Sequence, residues 1–106
     1  MKLVRDKIPE IMRAAGQVAV THTADPVEFQ VLLRHKLTEE VDEFLLSQSP
    51  EELADILEVL YALAASLGLD AAGLEALRQA KAEQRGGFAK RIVWHGPRSA
   101  LPAPVP

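Results

Sequence analysis

Five acids within a short span of this sequence have types and spacings suited to holding a hard metal ion. Glu39, Glu40 and Glu43 come first, and Glu52 and Asp55 follow. On a helix, residues three apart share a face, so Glu40 and Glu43 project together, as do Glu52 and Asp55. If the two segments are antiparallel helices joined by a tight turn, Glu43 is expected to face Glu52 and Glu40 to face Asp55. Four converging carboxylates raise one another's pKa, and partial burial adds to the cost of ionising them. A divalent cation with oxygen ligands removes that conflict. Magnesium is commonly shared between carboxylates and substrate phosphates, with manganese as a substitute. Such an ion orients a phosphate ester and lowers the pKa of an attacking water. Glu39 or Glu43 is then placed to take that water's proton, with no covalent nucleophile required.

The elements that must position these acids are marked by start and stop signals. Asp25-Pro26-Val27-Glu28 supplies an N-cap acid, a proline at the first helical position and a capping-box glutamate. Phe29, Leu33, Leu37, Val41 and Phe44 recur at helical spacing, which predicts a helix over about 26–47. Ser49-Pro50-Glu51-Glu52 repeats the start signal, and Leu53 to Leu67 carry a second helix closed by Gly68. Only one or two residues separate the helices, so an antiparallel hairpin is expected. Asp70 caps a further helix to about Gln84, ended by Gly86-Gly87, and Ile8-Pro9 opens a short one stopped by Gly16. Val18 to Thr21 and Phe88 to Trp94 alternate as short strands able to pair. The expected fold is therefore all-α, an acidic hairpin with a short two-stranded β pair from the termini. Residues 1–96 form one domain, and 97–106 form a flexible proline-rich tail.

Bulk properties narrow the function classes. The 106 residues are 48% apolar and 25% charged, as in ordinary soluble domains. No apolar run approaches the length of a membrane span, and the N-terminus lacks a signal-peptide core, so a cytoplasmic protein without a membrane partner is expected. Without cysteine there is no disulfide framework and no thiolate chemistry. The net charge is −3, but of the 12 Lys and Arg residues none lies between Lys36 and Arg78. The middle of the chain is strongly negative and suited to cations, not to a nucleic-acid polymer. No EF-hand loop is present, which argues against a calcium buffer.

Basic residues flank this acidic middle. Lys36 lies one turn before Glu40, Lys81 and Arg85 are four apart, and Arg5 and Lys7 come from the first segment. They are candidates for the phosphate charge that a metal leaves uncompensated. Three of them also have a plainer reading: Lys36 as an i,i+4 partner of Glu40, and Lys81 and Arg85 as surface charges. Glu52 stands three residues after Ser49, so it is either a ligand or a capping-box residue, with Glu51 as the substitute ligand. Tyr61, Phe88 and Trp94 are the aromatic candidates for base stacking, although Tyr61, Phe29 and Phe44 also fit apolar core stripes. His22, His35 and His95 share no metal-ligand spacing. Leu45, Leu46, Val59 and Ala62 are more apolar surface than one partner helix covers, so a homodimer or homotetramer is expected.

Lys36-Leu37-Thr38-Glu39-Glu40-Val41-Asp42-Glu43 followed by Glu52-Leu53-Ala54-Asp55 resembles the paired EExxE and ExxD motifs of the all-alpha NTP pyrophosphohydrolases, the MazG-like superfamily. Leu3-Val4-Arg5-Asp6-Lys7-Ile8-Pro9 resembles the opening of a short bacterial and phage branch. Lys81, Arg85-Gly86-Gly87-Phe88 and Arg91-Ile92 resemble its close. The gap between the acidic motifs is short for the superfamily. The resemblance implies magnesium-dependent cleavage of a nucleoside triphosphate between the α and β phosphates, giving the monophosphate and pyrophosphate. It implies Glu40, Glu43, Glu52 and Asp55 as metal ligands, with Glu39 assisting, and it supports the homo-oligomer. Some relatives in this branch are labelled phosphoribosyl-ATP pyrophosphohydrolase-like, which makes histidine biosynthesis an alternative. The remaining alternative is a non-catalytic helical interaction module.

Overall fold

The structure is a computed structural model that describes residues 1–96; the expected tail over 97–106 lies outside them. Among the described residues there are four helices: α1 (Ile8–Ala14), α2 (Pro26–Ser47), α3 (Pro50–Ser66) and α4 (Ala71–Arg85). The chain divides into two compact units, Met1–Leu74 and Glu75–Pro106, with α4 beginning in the first and running on into the second.

Local chemistry explains each boundary in the first unit. Asp25 is extended, and its carboxylate accepts from the Glu28 N–H at 2.9 Å while Pro26 starts the helix. The rest of the expected capping box is absent, because the Glu28 carboxylate turns to His22 Nε2 at 2.8 Å. α2 ends where Gln48 takes the left-handed conformation (φ 54°) and donates its N–H to the Phe44 carbonyl at 2.7 Å. Ser49 is extended again and Pro50 opens α3, so two residues reverse the chain. Gly68, at φ 83°, follows the end of α3. Asp70 accepts from the Gly73 N–H at 2.7 Å to start α4.

α2 and α3 pack against each other as the predicted hairpin. Between them sit the buried apolar side chains of the described residues, Leu33 (2% exposed), Val59 (7%) and Ala64 (5%). Val59, expected at an oligomer surface, is therefore core. Leu45, Leu46, Leu53 and Leu57 stay exposed along the two helices.

The expected strand pair does not form: no strand occurs among the described residues. Val18 and Val20 share the face that a half-buried strand would cover, yet both are almost fully exposed. The Ala19 carbonyl there accepts from Arg13 Nη2 at 2.9 Å instead of a ladder partner. In the second unit the Arg91 N–H bonds the Phe88 carbonyl at 3.0 Å, with Arg91 at φ 56°. That tight turn breaks the alternation of 88–94, and Phe88, Ile92 and Trp94 remain exposed.

Candidate metal centre

Glu40 stands on the face of α2 that meets α3 and is only 6% exposed. Glu52 and Asp55, on the first two turns of α3, meet it across the hairpin. One carboxylate oxygen from each of the three lies within 4.8 Å of the others. Glu40 Oε1 is held by Lys36 Nζ at 3.1 Å. Its other oxygen, Oε2, is buried without a hydrogen-bond partner, and so is Oε2 of Glu52. An unpartnered buried carboxylate oxygen is costly, and here two of the three clustered residues each carry one.

That donor set fits a hard divalent cation. Octahedral magnesium takes oxygen ligands at about 2.1 Å, which puts neighbouring ligands about 3 Å and opposite ones about 4.2 Å apart. The three carboxylate oxygens, all within 4.8 Å of one another, lie close to that range, and an ion held there would keep positions for water or phosphate. Glu52 is free to take part. Its competing role as a cap is unfilled, because the Ser49 N–H that a capping-box glutamate would accept from donates to Ser47 Oγ at 3.2 Å, and Ser49 makes no side-chain cap.

The remaining predicted residues fall into three groups. Glu43, one turn beyond Glu40, is exposed and lies outside the converging trio; Glu40 meets both Glu52 and Asp55, where a one-to-one pairing was expected. Glu39 bridges two ammonium groups, Lys2 and Lys36, each at 3.4 Å. Desolvation works to raise its pKa, but the charges and hydrogen bonds of Lys36 and Lys2 win and hold its carboxyl below the ordinary range. Lys36 is the mirror case. Burial pulls its ammonium down, and the Glu40 hydrogen bond, with the charges of Glu39 and Glu40, overcomes this and lifts it above its ordinary value.

Arg5, Lys7 and Lys36 line a groove of about 550 Å³ together with Glu40 and Asp55. Arg5 Nη2 donates to Asp55 Oδ1 at 2.7 Å. Lys81 and Arg85 stand exposed on the part of α4 that belongs to the second unit.

Two features were not drawn from the sequence. Lys2 partners Glu39, which no periodicity announces. Phe29 and Leu33 are walls of the groove, and here a signal existed: Phe29, Leu33, Lys36 and Glu40 are spaced along one helical stripe. Trp94, Phe88 and Tyr61, the stacking candidates, are exposed and do not line that groove.

Compared with known proteins, the chain matches no family model, no curated protein and no solved structure.

Proposed function

We propose that this chain is a magnesium-dependent nucleoside triphosphate pyrophosphohydrolase that clears non-canonical or surplus nucleotides. The observation that carries the reading is the cluster of Glu40, Glu52 and Asp55 carboxylates, two of which, Glu40 and Glu52, each keep a buried oxygen without a hydrogen-bond partner. The sequence resemblance of the two acidic motifs selects the reaction among those a carboxylate-held metal can serve. Glu40, Glu52 and Asp55 would hold the metal, with Glu43 one turn away. When bound, magnesium supplies charge compensation on the phosphate oxygens and a more acidic water.

The chain's own residues do the rest. Lys36, Arg5 and Lys7 present cations to the anhydride oxygens along the groove. Water adds to the α phosphorus, the bond from that phosphorus to the α–β bridging oxygen breaks, and pyrophosphate leaves. The water's proton passes to a carboxylate. Glu39 is the weaker acceptor, because Lys36 and Lys2 favour its ionised form; Glu43 makes no ion pair among the described residues and takes that role. Phe29, Leu33 and Val59 supply apolar wall for the nucleoside.

The exposed leucines of α2 and α3 support assembly of the chain as a homodimer or homotetramer through the hairpin. The same surface favours the non-catalytic interaction module as a second reading. Release of pyrophosphate and orthophosphate from a panel of NTPs, dNTPs and phosphoribosyl-ATP separates the two. Pyrophosphate that needs magnesium and disappears in Glu40→Gln supports the enzyme and identifies its substrate. Absence of both products with every nucleotide leaves the interaction module.

A further inference from the structure

Two of the three converging acids already have a cation beside them, and the two cations are attached differently. Lys36 holds Glu40 from within the same helix, through Oε1, and leaves the buried Oε2 without a partner. Arg5 reaches Asp55 from fifty residues away, out of a segment ahead of α1 that has no regular secondary structure. Lys2, in the same segment, pairs with Glu39. Thus the first residues of the chain are tied to the acidic face of the hairpin by two ion pairs that solvent reaches, the Arg5 and Asp55 side chains being 52% and 38% exposed. Pairs of that kind are weak and salt-screened.

A divalent ion coordinated by Asp55 competes for the same carboxylate charge and repels a guanidinium resting on it. Resting on the metal reading above, we propose that Arg5 is the resident counter-cation of Asp55, displaced by the divalent ion and then recruited by the polyphosphate that follows it. Displaced from Asp55, Arg5 is still part of the groove lined by Lys7 and Lys36, and there it faces the anion that the metal brings in. Cation binding and the Arg5–Asp55 pair weaken each other by the same factor, as linkage requires. Binding is consequently ordered, metal before anion. An Arg5 that stayed on Oδ1 and merely aimed the carboxylate would have the opposite effect on metal affinity.

Manganese titration followed by electron paramagnetic resonance of the free ion, with no nucleotide present, reads this sign directly in wild type, Arg5→Gln, Lys7→Gln and Asp55→Asn. Arg5→Gln is expected to bind manganese about two- to fivefold more tightly, the range set by an exposed ion pair, and Lys7→Gln to change much less. With manganese saturating, inorganic pyrophosphate is expected to bind Arg5→Gln more weakly than wild type. Unchanged or weaker manganese binding by Arg5→Gln overturns the proposal, as does a gain equal to that of Lys7→Gln, which would reflect net charge alone. If no variant binds manganese and Asp55→Asn changes nothing, the metal reading itself falls and takes this one with it.

Discussion

Lys36 Nζ sits 3.1 Å from Glu40 Oε1, and this single contact divides the Glu40 carboxylate into a satisfied half and an unsatisfied half. The lysine comes from one turn earlier on α2, so Glu40 is neutralised from within its own helix. The oxygen left over is the one that the proposed divalent ion would satisfy.

Left unsatisfied, those buried oxygens of Glu40 and Glu52 make the acids a liability to the fold. Replacing Glu52 by Gln removes one of the mutually repelling charges while keeping shape, so Glu52→Gln is expected to melt no lower than wild type in the presence of a chelator. On the proposed function, magnesium at 100 times its Kd should stabilise wild type by about 2.7 kcal/mol, and this gain should be largely lost in the variant. Thermal melts with and without magnesium check both halves.

Removing Lys36 has the opposite consequence. Lys36→Met leaves Glu40 buried without its partner, at a cost of about 1–3 kcal/mol, measurable as a lower urea midpoint at unchanged slope.

The same contacts set two limbs of the stability–pH profile. Lys36 titrates above its ordinary value of 10.5 when folded, so between that value and its folded pKa the folded chain keeps a proton the unfolded chain has lost. Its contribution is complete below 10.5 and fades as pH rises through the folded value. Glu39 titrates below its ordinary 4.5, so its contribution is complete above 4.5 and fades as pH falls through the lower folded value. Urea midpoints against pH should show a shallower alkaline limb in Lys36→Met and a shallower acid limb in Glu39→Gln.

Helix starts that look alike in sequence should respond differently to truncation. Asp25 caps α2 through its side chain, so Asp25→Ala is expected to cost about 1 kcal/mol. Ser49 makes no such bond, and Ser49→Ala is expected to be close to neutral. Equal losses in paired unfolding curves would contradict the observed cap geometry.

Gln48 offers a stabilising change. It holds φ 54°, which costs an L-residue about 1 kcal/mol relative to glycine. Gln48→Gly should recover part of that, read as a higher urea midpoint.

Much of the hairpin was legible because its signals are local: Asp25-Pro26, Ser49-Pro50, Gly68 and the spacing of leucines all act within a turn or two. The acids were legible for the same reason, since Glu40, Glu52 and Asp55 lie close to a short reversal. What escaped depends on distant or competing contacts. Nothing near Arg5 points to Asp55. The capping box announced by Ser49 and Glu52 is not made, because the Ser49 N–H goes to Ser47 Oγ and its hydroxyl to Glu51. The alternation of 88–94 reads as a strand until Arg91 turns back on Phe88, and Val18 and Val20 read as one until no layer is found to cover them. The left-handed Gln48 carries no glycine to mark it.

The two-residue reversal at Gln48 and Ser49 also constrains how such a chain can change over generations. Each residue added to a helix between Glu40 and Glu52 rotates everything beyond it by about 100° and shifts it by about 1.5 Å. A single insertion there would swing Glu40 off the face shared with Glu52 and Asp55, whereas side-chain replacements at the exposed positions of the same stretch leave the geometry alone. That stretch can drift in spelling but not in length, and its insertions and deletions belong elsewhere, where no acid depends on the count.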